Sequence, residues 1–549
     1  MLAIMPTNGT KKQLEDWSHI QWQKANKLVR NLRQRIFRAR KLGNFKTLRS
    51  LQKLMQRSHA NLLLSVRRIT QTNKGKATAG IDKEIINTPT QRVSLVNNWK
   101  GGNLLPSRRV EIPKPNGKKR PLGIPTLRDR IEQAIVKNSL EPEWESMFEP
   151  NSYGFRPRKS CQDAIGQNFM RLQRGRDTWV LEADIRGFFD NIAHESILNM
   201  INNFPKRKLI REWLKAGFVF DGKFNPTETG TPQGGVISPL LANIGLHGLE
   251  TYIKSTNSKF GVVRYADDFI VTARDKGSLE KAKIQIQQWL SERGLELSTE
   301  KTLITSIEEG FDFLGFNHRH YNGKLLIKPS KQKVLDFCKR IGKEVKKLDG
   351  ATQEAIISKL NPILRGFANY YKGVVSKEIF NYISNRVWIY LWSWAKRRHS
   401  NKNSRWVRKR YFKTINGVKW TFACSISNRQ GADKNVFIYP IAYTPIERHI
   451  KVKGEASPDD PSLREYWDKR NQKMGKSYWA KGSNNYLIAQ NQKWKCPICG
   501  EALLNDEEIE THHIVPVAQS GLNDISNLQH LHIPCHKQVH IKTKFSSLK

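Results

Sequence analysis

Two adjacent carboxylates, Asp267 and Asp268, sit between the β-favouring runs Val262-Val263-Arg264-Tyr265 and Phe269-Ile270-Val271. The pattern predicts a tight hairpin with the acids at or beside its tip. Neighbouring side chains on a strand face opposite ways, so one acid can face a metal site while the other lies behind or beside it. An Asp-Asp pair by itself is more often a solvated turn. A third acid changes that balance. Thr178-Trp179-Val180-Leu181-Glu182-Ala183-Asp184-Ile185 has the composition of a buried strand that ends on Asp184. Nucleotidyl transfer needs two divalent metals, one to activate the attacking 3′-hydroxyl and one to steady the triphosphate. Mg²⁺ prefers hard oxygen ligands, and Asp184 beside Asp267 on adjacent strands would supply them.

A second constellation lies near the C-terminus. Cys496-Pro497-Ile498-Cys499-Gly500 is followed by His532-Ile533-Pro534-Cys535-His536. The Cys-x-x-Cys knuckle and the later His-x-x-Cys offer four zinc ligands of suitable kind and spacing. Such a site would replace the core that about 60 residues cannot build. Between the two pairs stands Thr511-His512-His513-Ile514-Val515-Pro516. His536 and His540, four residues apart, share one helix face. A zinc finger that only binds DNA is the alternative, and His512-His513 ahead of a proline argues against it.

Other elements must hold these groups in place. Residues 12–72 carry apolar positions at helical spacing, with Arg30, Arg33, Arg35, Arg38, Arg40 and Lys41 between them. These cations form either a solvated face or a basic extension lying on nucleic-acid backbone. Small and turn-forming residues at 74–82 predict a domain boundary. Residues 108–125 read as strand, Pro-Asn-Gly turn and strand, a hairpin whose basic side chains could close over a triphosphate. Gly230-Thr231-Pro232-Gln233-Gly234-Gly235 is a turn leading into a helix near Ser238-Pro239. Segments 294–302 and 311–316 are expected as short strands. Val334 to Leu348 predicts one helix capped by Gly350, and Ile356 to Phe367 another. Residues 401–480 read as basic, aromatic and irregular, with a linker at 457–461.

The chain has 549 residues, 94 of them Lys or Arg against 49 Asp or Glu, for a net charge of +45. Those cations run the whole length, so a polyanion, with nucleic acid first, is the expected partner. At 38% hydrophobic residues the chain can still build cores. No apolar run approaches the roughly 18 residues of a membrane span. The first six residues are too short for a signal-peptide core. Six cysteines in such a length make no disulfide framework, which favours a reducing compartment.

The order of these elements resembles the blocks of reverse transcriptases: the basic Pro-Asn-Gly hairpin, the strand to Asp184, the Pro-Gln-Gly-Gly turn and the Tyr265-Ala266-Asp267-Asp268 box. More narrowly, the chain is similar to group II intron-encoded proteins, reverse transcriptases that are also maturases. Tyr153-Gly154-Phe155-Arg156-Pro157 and Leu360-Asn361-Pro362-Ile363-Leu364-Arg365-Gly366-Phe367-Ala368-Asn369-Tyr370-Tyr371 resemble that family's signatures. Residues 496–540 resemble an HNH nuclease.

The resemblance implies a multidomain α+β protein. Its parts would be a basic helical extension (1–75), right-hand fingers and palm (76–320) and a helical thumb or maturase domain (325–400). A basic DNA-binding region (401–485) and a zinc-stabilised ββα HNH domain (486–549) would follow. It further implies Asp184, Asp267 and Asp268 as catalytic carboxylates, with Asp184 and Asp267 holding two Mg²⁺ ions. Gln233 would line the nucleotide pocket, and Phe189 would exclude a ribose hydroxyl by bulk. Lys114, Lys118 and Arg120 would contact the triphosphate, and Lys301 would protonate pyrophosphate. In the HNH unit His513 would be the general base and Asn527 would orient its loop. His512, His536 and His540 would hold one divalent metal, with Mg²⁺ expected. Cys496, Cys499, His532 and Cys535 would hold structural Zn²⁺. The family often has Cys in place of His532 and Asp in place of His512.

The implied function is RNA-directed DNA synthesis, assistance to intron splicing, and nicking of target DNA to prime reverse transcription. The implied partners are intron RNA, target DNA and deoxynucleoside triphosphates, without a membrane. A homodimer is left open. The compartment would be a bacterial cytoplasm, beside the nucleoid, or an organellar matrix. The rivals are a maturase that binds RNA without polymerising, and a reverse transcriptase unconnected with introns.

Overall fold

In the computed structural model, the strand Trp179–Asp184 lies inside a four-stranded antiparallel sheet. Its neighbours are Asp268–Ala273 and Leu303–Ser306, with Gly261–Tyr265 at the edge beyond Asp268–Ala273. The structure describes residues 13–113, 117, 119–427, 433–479, 482–505, 507–522 and 524–546. Lys114, Lys118, the Pro-Asn of the basic turn and the first six residues lie outside these.

The sheet is apolar on both sides, and alternation divides it between two cores. Leu181, Ala183, Phe269 and Val271 pack with the helices Ser238–Gly245, Leu249–Thr256 and Lys276–Ser291. Val180, Val263 and Ile270 face the other way. They join a core that runs into the bundle Lys331–Lys347, Gln353–Tyr371 and Lys377–Arg398. Burial on both faces explains why these strands read as near-continuous apolar runs. Asn361 and the tyrosines of the second signature fasten this bundle. Tyr370 and Tyr371 donate their hydroxyls to the carbonyls of Leu314 and Gly315, and Asn361 pairs with the backbone of Phe437 and Tyr439.

The N-terminal residues form three helices, Trp22–Lys41, Phe45–Arg57 and His59–Arg67. Asn44 and Ser58 start the second and third by accepting from the N–H groups of Thr47 and Asn61. Ile36, Leu48, Leu51 and Met55 form their shared core. The basic hairpin is present as Ser107–Pro113 paired antiparallel with Lys119–Ile124. No helix among the described residues is long and apolar enough to cross a membrane.

Several local expectations are overturned. Residues 294–302 are not a strand. Gly294 takes the left-handed region and only Leu297 makes a bridge, to Ile185, before the strand begins at Leu303. The helix from Lys331 closes on Leu348, whose N–H donates to the Val345 carbonyl, so Gly350 does not cap it. The described residues of 401–480 are regular at both ends and irregular only between 438 and 460, where Ile441–Tyr443 makes a single short turn of helix. A helix, Ser404–Tyr411, leads into a three-stranded sheet of Phe412–Ile415, Val418–Ser427 and Asp433–Phe437. Asn416-Gly417, both at positive φ, make its first turn. Asn-Gly between apolar neighbours is the strongest short hairpin signal, and it was masked by the surrounding charge.

The expected linker at 457–461 is a clamp. Asp459 is buried and accepts two hydrogen bonds from Arg33, at 2.8 Å and 2.7 Å, while Arg33 also donates to Glu141 at 2.8 Å. Lys41 pairs with Asp460. Arg33→Ala should therefore strand the buried Asp459 carboxylate, while Glu141 keeps Lys137 at 3.4 Å, and loosen the seat of this segment by about 3 kcal/mol. Limited proteolysis within 453–463 would speed up accordingly; an unchanged cleavage rate would show that the triad contributes nothing.

Candidate active sites

The acids meet where the central strand ends. Tyr265 pairs with Asp268 across a two-residue turn of Ala266 and Asp267, with Ala266 at φ 59°. Asp268 in turn lies opposite Asp184 on the next strand. The hairpin is braced from behind. The buried Arg264 guanidinium donates to Asn243 Oδ1 at 3.1 Å and to the Ala266 carbonyl at 3.2 Å. Its burial lowers its pKa to about 10. Asn243 donates to the Gly154 carbonyl at 2.8 Å. A Cβ at Gly154 would fall 2.4 Å from the Ala266 nitrogen, so the first signature needs glycine there for close approach to the turn. Gly154 belongs to the Tyr153–Pro157 signature and Arg264 to the run before the acids, while nothing in the local sequence marks Asn243 for this role.

Three carboxylates in one place repel. Asp268 keeps contact with solvent, yet desolvation by the surrounding protein, then the charges of Asp267 and Asp184, push its pKa to about 7. Asp267 is raised by burial and by Asp184. Lys301 answers part of this charge, its Nζ 2.8 Å from Asp184 Oδ2, and that bond raises the lysine's pKa. The segment 294–302, which was expected as a strand, delivers it. Ser298 N–H donates to the Asp184 carbonyl and the chain turns back at Lys301. Hard oxygen donors that share a surplus of negative charge fit a divalent cation.

Phe189, Gln233 and Arg120 belong to one chain of contacts beside these acids. Phe189 is buried against Phe188 and Phe155, with ring centroids at 5.2 Å and 6.2 Å. Its carbonyl accepts from Thr231 N–H at 2.7 Å. A Cβ at Gly230 would sit 2.6 Å from the Asp190 carbonyl oxygen, so the turn rests directly on this backbone. Gln233 joins the basic hairpin twice. Its carbonyl accepts from Gly123 N–H at 2.8 Å, and its Oε1 accepts from Arg120 Nε at 2.9 Å. Lys114 and Lys118 lie outside the described residues.

The C-terminal residues form two strands, Ile509–His513 and Leu528–His532, then the helix Ile533–Ser546. Among the described residues two His/Cys groups have ligand atoms within 4.8 Å of one another. Cys496, Cys499, His532 and Cys535 are buried, and His512, His536 and His540 form the second group. A buried three-thiol, one-imidazole set fits Zn²⁺. The three imidazoles pack edge to face at 4.5–5.1 Å between ring centroids. Glu510 Oε2 lies 2.5 Å from His536 Nδ1, a neighbour the sequence reading missed although it precedes His512 by two residues on one strand face. His513 follows His512 on the alternate face. Asn527 staples the loop that follows. Its Oδ1 accepts from Val515 N–H at 2.8 Å, and its Nδ2 donates to the carbonyls of Val515 and Leu522 at 3.0 Å and 2.8 Å.

Comparisons with known proteins place these sites in order. Residues 112–318 match the family model "Reverse transcriptase (RNA-dependent DNA polymerase)", and 17–99 match "N-terminal domain of reverse transcriptase". Residues 334–412 match "Group II intron, maturase-specific domain", and 496–542 match "HNH endonuclease". The fold is that of a reverse transcriptase joined to an HNH nuclease. The group II intron-encoded protein LtrA of Lactococcus lactis subsp. cremoris is 31% identical over 408 residues, 55% of this chain and 67% of that one. Protein YkfC of Escherichia coli is 34% identical over 302 residues, 46% of this chain and 79% of its own. Telomerase from Candida albicans aligns at 13% identity with a TM-score of 0.33, covering 55% of this chain and 66% of that one, a slight likeness. The chain belongs to the group II intron-encoded proteins, with reverse transcriptase, maturase and HNH endonuclease domains in one polypeptide. Both enzyme families work with divalent metals.

Proposed function

We propose that the two sites act in sequence on one DNA. The HNH site nicks a target strand, and the polymerase site extends the exposed 3′-hydroxyl with deoxynucleoside triphosphates, copying intron RNA. The observation that carries this is the meeting of Asp184, Asp267 and Asp268 at one sheet end, in the same chain as the His512, His536 and His540 group. Asp184 and Asp267 are the principal ligands for two Mg²⁺ ions, and Asp268 completes the acidic set. Bound there, the ions would acidify the primer hydroxyl and carry triphosphate charge. Lys301 steadies Asp184 and gives a proton to the leaving pyrophosphate. Gln233 and Phe189 line the nucleotide pocket, with Arg120, Lys114 and Lys118 on the triphosphate. In the nuclease, His513 takes a proton from water, while His512, His536 and His540 would hold one divalent metal, their three nitrogens suiting a transition-metal ion better than Mg²⁺. Asn527 holds the His513 loop. Cys496, Cys499, His532 and Cys535 hold structural Zn²⁺.

The residues divide as a basic extension (1–75), fingers and palm (76–320), a thumb or maturase domain (325–400), a DNA-binding region (401–485) and the nuclease (486–549). The spread of cations supports intron RNA and target DNA as partners. The test is one reaction holding labelled target duplex, intron RNA, Mg²⁺ and deoxynucleotides. The labelled strand should first shorten and then lengthen beyond its starting size. Shortening without lengthening would separate the two activities and refute the coupling.

Phe189→Ala should lower discrimination against ribonucleotides by about 10- to 100-fold. The backbone bond from Thr231 to residue 189 survives this change, so the pocket floor stays in place. Single-nucleotide incorporation with deoxy- and ribonucleotides would measure it, and unchanged discrimination would remove the gate role.

A further inference from the structure

The zinc-ligand group was expected to belong to a separate C-terminal unit. It is instead buried against the first helices of the chain. Arg67, the last residue of His59–Arg67, donates from Nη2 to Cys535 Sγ at 3.1 Å across a separation of 468 residues. Arg67 is only 5% exposed. Its guanidinium lies 4.8 Å from the Trp22 ring and 3.6 Å from Glu507 Oε2. Further bonds flank it. Gln538 Nε2 donates to the carbonyls of Ser18 and Ile20, and Asn26 Nδ2 donates to the carbonyl of Cys499 at 3.2 Å. Trp17 and Trp22 share one buried core with Leu531 and the three cysteines.

We infer that Arg67 is an outer-sphere residue of the zinc site, and that the loaded site is the latch holding the nuclease on the N-terminal extension. This rests on reading Cys496, Cys499, His532 and Cys535 as a zinc site. Three thiolates and a neutral imidazole around one Zn²⁺ leave one net negative charge. Arg67 brings one positive charge to it in a place where water cannot. Donors to a ligating sulfur orient it and moderate its charge, so they tune the metal's hold. Without the ion the negative charge that Arg67 answers is gone, and only the Glu507 carboxylate at 3.6 Å still faces the buried guanidinium. Zinc affinity and docking are therefore linked, and each must strengthen the other.

The experiment uses the full chain as wild type, Arg67→Gln and Arg67→Lys. Zinc content of the wild type is measured first, then zinc release to a chromogenic chelator. Arg67→Gln should weaken zinc retention by about 10- to 100-fold, and Arg67→Lys should restore part of it. In the wild type, stripping zinc should also raise amide hydrogen exchange over residues 17–26, a readout that needs no variant to fold. Equal release from wild type and Arg67→Gln, or equal exchange over 17–26 with and without zinc, would overturn the latch. A wild type that carries no zinc would overturn the zinc reading beneath it.

Discussion

Asp267→Asn is expected to reduce cDNA synthesis by about a thousandfold or more while RNA binding stays nearly unchanged. The substitution keeps the shape of the side chain and removes its charge. The turn that carries residue 267 is braced from behind by Arg264 and Asn243, whose hydrogen bonds go to one another and to the carbonyls of Ala266 and Gly154. The hairpin should therefore keep its register, with Asp268 still opposite Asp184. What is lost is one of the charges that make the site attractive to a divalent ion. The Asp268 carboxyl, freed of one repelling neighbour, should titrate closer to an ordinary carboxylate. Primer extension on an RNA template with Mg²⁺, beside filter binding of the same RNA, would measure both properties. Robust extension by the variant would remove Asp267 from the metal set. Loss of RNA binding as well would point to a collapsed fold and not to missing chemistry.

His513→Ala is expected to reduce DNA nicking by about 100- to 10,000-fold and to leave extension of a pre-nicked primer at wild-type rate. His513 lies on the strand face opposite His512, so removing its imidazole spares the grouping of His512, His536 and His540. The following loop is held by Asn527 through backbone groups of Val515 and Leu522, which do not depend on residue 513. The polymerase acids belong to a different sheet. A labelled duplex, intact in one reaction and pre-nicked in the other, would separate the effects. Nicking that persists would refute His513 as the base. Extension lost together with nicking would mean that the nuclease unit supports the polymerase fold.

The separation of these activities was visible early because each rests on local patterns. Asp267 and Asp268 between two β-branched runs can only make a short hairpin, and Cys496-x-x-Cys499 with His532-x-x-Cys535 needs little beyond a knuckle and a helix start. His536 and His540 share a face through helical pitch alone. Contacts without periodicity were not visible. Nothing in Ser457-Pro458-Asp459-Asp460-Pro461 says that Asp459 will meet Arg33, and the composition of a buried clamp there is that of a solvated linker. The Asn416-Gly417 hairpin is legible in principle between Ile415 and Val418, but Lys413 and Lys419 beyond them obscure the alternation.

By itself, then, the sequence determined the chemical groups, the secondary structure that presents most of them, though not the turn that delivers Lys301, and the order of blocks that marks the family. Those depend on backbone geometry and on spacing over a few residues. Only the tertiary structure decided that Asp184 pairs with Asp268, that Lys301 covers Asp184, and that the turn from Thr231 to Gln233 joins Phe189 to Arg120. It also placed the zinc ligands against Arg67. The reason is physical. Pairings between distant residues are set by how whole apolar faces pack, and that packing is the sum of many weak contacts that leave no mark on either partner's local sequence.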